Sequence, residues 1–181
     1  KTLANAWKIP DLRKKLLFTA LILLIFRIGA AIPVPFVNAG QDGIFNDSIM
    51  SGTFMEYLNM MTGNAFNYGT IFAMSITPYI NSSIIIQLLT VAIPALERMS
   101  KEGEEGRKKI ATMTRYLTVI LGLIQGTAFF FYLKAQGLVL ADKGFSMWFA
   151  AFVIVLTFTA GTALIMWLGE QINEKGIGNG I

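Results

Sequence analysis

Ile71-Phe72-Ala73-Met74-Ser75-Ile76-Thr77-Pro78-Tyr79-Ile80-Asn81-Ser82-Ser83-Ile84-Ile85-Ile86-Gln87-Leu88-Leu89-Thr90-Val91-Ala92-Ile93-Pro94-Ala95-Leu96 is apolar enough, and long enough, to cross a bilayer, which takes about 20 residues. It is nevertheless a poor sequence for a plain lipid-facing helix. Pro78 lacks a backbone donor and its ring clashes with the carbonyl of Met74. A kink or break near Met74–Pro78 is therefore expected. At the helical period, Ile76, Ile80, Ser83, Gln87, Thr90 and Pro94 share one face. Lipid offers Ser, Gln and Thr no partner. A tightly packed core accommodates them; a face lining a water-filled cavity explains them better, because polar groups and irregular backbone are tolerated there. The isoleucines that head this face have a physical use of their own. Bulky apolar groups can constrict a passage and close it by dewetting, although one helix supplies only part of a ring.

Upstream, Phe54–Met61 is an amphipathic piece too short to cross, broken by Thr62-Gly63-Asn64. Residues 54–69 are expected to enter the membrane region without spanning it. The stretch 36–53 is a polar loop. Further apolar runs are expected to span at 16–33, ended by Pro33 and Pro35, at 110–133 and at 145–168. The whole chain is 54% hydrophobic and 14% charged, against about 25% charged in soluble domains. The expected class is an all-α integral membrane protein, a multi-span helical bundle. Its parts are a segment 1–15, a transmembrane region 16–169, and a polar, glycine-rich tail 170–181.

Charge placement orients these spans. Lys1, Lys8, Arg13, Lys14 and Lys15 precede the first; Arg98, Lys101, Arg107, Lys108, Lys109 and Arg115 lie around the charged stretch 97–109, read as a loop; Lys175 is in the tail. The opposite side holds only Lys134 and Lys143, so the division is 12 against 2. The positive-inside rule puts both termini and the charged stretch in the cytoplasm, as four spans require. The basic start and apolar run also resemble a signal peptide superficially. Ile32-Pro33-Val34-Pro35 is not a small-residue cleavage site, so a retained span is expected. Arg27, inside the first span, either snorkels to the outer interface or contacts the loop or a neighbouring helix.

Little supports catalysis. The chain has no cysteine and no histidine, which removes thiol nucleophiles, thiolate metal sites and imidazole bases. No paired carboxylate is expected inside a span. No catalytic residue, metal ligand or cofactor is assigned. Gly176-Ile177-Gly178-Asn179-Gly180 lacks the preceding strand and following Lys-Ser/Thr of a phosphate loop. Gly122 and Gly126 form a G-x-x-x-G, read as helix packing together with Ala160, Gly161 and Ala163.

Several ordered blocks resemble one family. They are Leu12-Arg13-Lys14-Lys15-Leu16-Leu17-Phe18-Thr19, Phe26-Arg27-Ile28-Gly29, Ile32-Pro33-Val34-Pro35, Ile71 through Ile80, Ser83 through Thr90, Lys101 through Ile110, Thr114-Arg115-Tyr116, and Met166 through Ile172 with Gly176 through Ile181. The chain resembles the amino-terminal part of the SecY family, in its bacterial form. The resemblance implies the first half of an inverted-repeat, protein-conducting channel in the bacterial plasma membrane, the chain stopping before an expected fifth span. It implies a plug at about 54–69, including Phe54, Leu58, Met60, Met61, Gly63 and Asn64. Ile76 and Ile80 would belong to the pore ring. Ser83, Gln87, Thr90 and Gln125 would line a lateral gate, and Arg107, Lys108 and Lys109 would make cytoplasmic loop contacts. Implied partners are SecE-like and SecG-like small membrane subunits, a SecA-like motor ATPase, the ribosome, a signal sequence and translocating polypeptide, and the lipid bilayer. The family has a glycine pair where this chain has Gly63-Asn64. It favours Leu-Gly-Ile-Met-Pro where this chain has Met74-Ser75-Ile76-Thr77-Pro78. From the residues alone, a small-solute secondary transporter using the broken helix is the alternative; an intramembrane enzyme is disfavoured.

Overall fold

The computed structural model describes residues 9–38, 43–44, 54–141 and 144–180. Among them the chain forms helices α1 (Pro10–Gly29), α2 (Phe54–Met61), α3 (Thr77–Ala92), α4 (Pro94–Lys101), α5 (Glu104–Ala135) and α6 (Phe145–Lys175). The described residues form no strand, only two isolated antiparallel bridges, Pro33 to Thr70 and Val37 to Val139. Lys1, Lys8 and Lys143, used above for orientation, lie outside the described residues.

Helices α5 and α6 are 32 and 31 residues long, or about 48 and 46 Å at 1.5 Å per residue. Both are long and apolar enough to cross a membrane. In lipid no hydrophobic force drives helices together, so close packing must hold them. Gly122 and Gly126 supply it. A methyl group on Gly122 would sit 3.5 Å from the Thr159 methyl, and one on Gly126 would sit 3.5 Å from the Val155 carbonyl oxygen. At the other end of this seam the Arg115 guanidinium bridges Glu170 in two places, Nε to Oε1 at 2.9 Å and Nη2 to Oε2 at 2.8 Å. Helix α3 lies against α5, and α1 meets α6 through Ile22, Leu168 and Ile172.

The prolines cut the chain more often than the sequence reading anticipated. Residues 71–76 are a series of turns, and α3 starts only at Thr77, with Pro78 in its first turn. There its missing N–H is no loss, because that donor has no intrahelical partner anyway. A second break falls at Ile93, which is extended (φ −109°, ψ 111°) ahead of Pro94, and the chain bends by 103° into α4. Sterics against the proline ring push the preceding residue out of the helical region. The run 71–96 is thus one 16-residue helix flanked by non-helical chain and a short cross-helix. The charged stretch 97–109 is not a loop. Glu102-Gly103 alone interrupts it, with Gly103 at φ +80°, and Arg107, Lys108 and Lys109 are exposed on the first turns of α5. On α4, Lys101 bonds to Glu97 one turn earlier and holds that carboxyl below its usual range.

Helix α1 likewise ends at Gly29, before the expected boundary at 33. Pro33 and Pro35 cannot continue a helix, and the backbone pairs elsewhere instead. Val34 N–H donates to the Gly69 carbonyl, and Ile71 N–H to the Ile32 carbonyl, both at 3.1 Å. The main core gathers Val34, Ala73, Phe130, Leu133, Ile154 and Phe158. A smaller one joins Ala30, Ala65, Phe72 and Ile165. The irregular segments 30–38 and 62–76 are anchored among the helices by Ala30, Val34, Ala65, Phe72 and Ala73, while Ile32, Pro33, Pro35, Gly63, Asn64 and Tyr68 stay exposed. The glycine-rich tail folds back as well. Ile177 N–H donates to Thr19 Oγ1 at 3.0 Å, and Gly180 N–H to Asn173 Oδ1 at 2.7 Å.

Candidate functional site

The segment 62–69 turns on itself repeatedly. Gly63 and Asn64 both have left-handed backbone, φ +62° and +70°. Asparagine is among the few residues besides glycine that visit this region readily. The Gly63-Asn64 departure from the family's glycine pair therefore preserves the turn. Three asparagines brace it. Asn59 Nδ2 donates to Asn64 Oδ1 at 2.9 Å, and Asn59 Oδ1 accepts from the Asn67 N–H at 3.1 Å. Thr62, almost fully buried, donates to the Asn59 carbonyl and accepts from the Phe66 N–H. Arg27 reaches across from α1, its Nη1 donating to the Gly63 carbonyl at 3.4 Å. Of the two readings of Arg27, the structure shows the contact with the loop.

The second departure has the same character. Ser75 is at φ +51°, immediately before Ile76. The family's glycine at that position suits such backbone without strain.

These two irregular pieces meet. A cleft of about 450 Å³ is lined by Met61, Thr62 and Phe66 from the first, by Ser75, Ile76 and Ile80 from the second, and by Gln125, Phe129 and Tyr132 of α5. The expected plug, ring and gate residues Met61, Ile76, Ile80 and Gln125 thus share one wall-to-wall space. Phe66 and Phe129 touch at 5.5 Å between ring centroids, fixing the re-entrant piece to α5. Met60 and Asn64 are exposed outside the cleft, and the side chains of Phe54 and Leu58 lie outside the described residues.

Helix α3 divides its polar residues between two faces. Pro78, Ser82 and Ile86 are buried against the bundle, with Ser82 Oγ donating to the Pro78 carbonyl at 2.8 Å. Gln87 is exposed, while Ser83 and Thr90 are half-buried, Thr90 beside Glu97 and Lys101 of α4. Gln87 Nε2 donates to Ser83 Oγ at 3.2 Å, and Thr90 Oγ1 to the Gln87 carbonyl at 2.6 Å. They do not line the cleft with Ile76 and Ile80, but continue its face beyond it. Sequence reasoning did not single out Asn59, Thr62, Asn67 and Ser82, nor the cleft's aromatic lining of Phe66, Phe129 and Tyr132. Only the asparagine clustering around a glycine was a visible signal.

The model of the SecY family, described as SecY, matches residues 70–181. The chain belongs to the SecY family. It is 47% identical to the protein translocase subunit SecY of Streptomyces griseus over 98% of this chain and 42% of that protein. It is 47% identical to the subunit of the same name from Bacillus subtilis (strain 168) over 100% of this chain and 41% of that protein. The chain thus spans about two fifths of the length of these curated relatives. Among solved structures, a protein-conducting channel superposes with a TM-score of 0.63 at 21% identity, over 99% of this chain and 39% of that one. Sec61 in the canine ribosome-channel complex from the endoplasmic reticulum gives 0.63 over the same shares. At that identity the likeness concerns the fold: an all-α bundle of the SecY type, with membrane-crossing helices. The small-solute transporter alternative gains no support from these comparisons.

Proposed function

We propose that this chain forms part of the pore-lining subunit of a protein-conducting channel of the bacterial plasma membrane. In this reading it passes secretory polypeptides across the membrane and releases membrane segments into it. The observation that carries the reading is the shared cleft. One space collects an apolar pair at a helix entrance, Ile76 and Ile80, and a non-spanning helix end, Met61, stacked beside it. An isoleucine constriction holds back water and ions by dewetting, and a movable stopper beside it seals the rest. Residues 54–69 are the plug. Exposed Gln87 and half-buried Ser83 and Thr90 are half of a lateral gate whose other half lies elsewhere in the protein. Gln125, the weaker gate candidate, lines the cleft beside Ile76 and Ile80. Arg107, Lys108 and Lys109 are held on a rigid helix start, where a SecA-like motor or a ribosome can read them. SecE-like and SecG-like subunits, a signal sequence and the translocating chain complete the assembly, and the amino terminus faces the cytoplasm.

The test uses the full-length protein. Cysteines placed at Ser83 or Gln87 should crosslink to the signal sequence of a stalled secretory chain, since this part of the chain has no cysteine of its own. Ile76→Gly should raise resting ion conductance in planar bilayers. No crosslink anywhere on this face, together with unchanged conductance, would sink the reading.

A further inference from the structure

The seam between α5 and α6 is closed at Gly122 and Gly126, where small residues let the backbones approach. Towards the carboxyl end of α5 large side chains take over from the glycines, and Phe130 and Leu133 are buried with Ile154 of α6 in the main core. Leu123, level with the glycines, and Phe130, Phe131, Trp148, Ala151 and Phe152 line a groove of about 450 Å³, separate from the cleft described above. Groove volumes of roughly 300–1,000 Å³ accommodate small ligands.

The chemistry of this groove is almost wholly hydrocarbon. Its hydroxyl, on Thr127, already donates to the Leu123 carbonyl at 2.7 Å. Lys134, in the last turn of α5, lines the groove at its outer end. Phe145 and Trp148, 87% and 80% exposed, stand at the same level on the first turns of α6. A tryptophan so placed marks the membrane–water interface.

The length of the groove identifies the occupant. From Leu123 to Lys134 is 11 positions along α5, or about 16 Å at 1.5 Å per residue. That is the depth of one leaflet, half of a hydrocarbon core about 30 Å thick. A packed transmembrane helix would need a groove of twice that length. An acyl chain descending from a headgroup held by an amine needs just this one. The geometry points to a site for an anionic phospholipid in the leaflet at the carboxyl end of α5. Its acyl chain lies between Phe130, Phe131 and Phe152, and its phosphate sits on the Lys134 ammonium. No covalent step is involved.

The test reads Trp148 directly. The full-length channel, with Trp148 as its sole tryptophan, is reconstituted in nanodiscs containing phosphatidylglycerol or phosphatidylcholine with brominated acyl chains, which quench indole fluorescence on contact. Half-quenching should need about fivefold less phosphatidylglycerol than phosphatidylcholine, the preference that one basic residue near an anionic surface confers. Lys134→Gln should abolish that preference and Lys134→Arg should keep it. Ala151→Phe, which fills the groove, should also abolish it. Added glycerol phosphate should displace nothing, since the chain and headgroup bind together. Size-exclusion profiles confirm that each variant stays assembled. Equal quenching by the two lipids in the unaltered protein would mean ordinary annular lipid and overturn the site. So would a preference that survives Lys134→Gln, relief by glycerol phosphate, or absence of quenching by either lipid because a protein segment covers Trp148.

Discussion

Replacing Gly161 by alanine adds a single methyl group in the middle of α6, and its consequences follow from one distance. That methyl carbon would sit 1.9 Å from the carbonyl oxygen of Ile71 and 2.9 Å from its carbon. The closest comfortable carbon–oxygen approach is about 3.3 Å, so one backbone must retreat by about 1.4 Å. Neither has slack. Gly161 is held in a regular helix, while Ile71 donates its N–H to the Ile32 carbonyl and is followed by the buried Phe72, stacked on Phe26 at 5.5 Å. Overpacking of this kind costs about 1–3 kcal/mol and sometimes more; with backbone on both sides the upper end is expected. Gly122→Ala and Gly126→Ala are the controls. Their methyl groups would make ordinary contacts at 3.5 Å, and alanine's better helix propensity offsets the change by up to about 1 kcal/mol. The expected gap between Gly161→Ala and either control is about 3 kcal/mol. Unfolding of the full-length protein by SDS in mixed micelles, followed by tryptophan fluorescence, measures it. A Gly161→Ala protein as stable as the parent, or a Gly122→Ala protein equally damaged, would refute the reasoning. Because Ile76 lies five residues beyond Ile71, Gly161→Ala should also raise resting conductance, whereas the controls should not.

Two further outcomes are expected from the backbone and from buried polarity. Ser75→Gly and Asn64→Gly place glycine at φ +51° and +70°. The serine change should stabilise by about 1 kcal/mol, the left-handed cost for an ordinary residue. The asparagine change should come out near neutral, because it also loses the bond from Asn59; the same SDS titration separates them, and equal gains would contradict the account. Thr162 is 2% exposed, and its hydroxyl has no hydrogen-bond partner among the described residues. Thr162→Val should therefore leave stability unchanged or raise it by up to about 1 kcal/mol, and a loss beyond that in the same assay would reveal a partner for the hydroxyl.

The breaks in this chain were legible because their causes are local. A proline acts on its own turn and on the residue before it, so the interruption near Pro78 could be read directly. The second break, at Ile93-Pro94, obeys the same rule but was not read, because hydropathy running on to Leu96 concealed it. The composition also determined the class: several apolar runs with few charges leave a helical membrane bundle as the economical solution. Which face of α3 looks inward was decided only by tertiary packing. Ser82 and Ser83 are neighbours of identical chemistry, yet one is fully buried against the bundle and the other only half-buried, because the helices packed on α3 do not cover its faces equally. The glycines make the same point. Gly122 and Gly161 read alike as small residues for packing, but one meets a side-chain methyl at ordinary range and the other a carbonyl oxygen. The cleft, too, belongs to the fold. Met61, Ile76, Ile80 and Gln125 come from three separate stretches, and no local rule of sequence brings such distant residues together; only the wedging of irregular backbone between α3, α5 and α6 does.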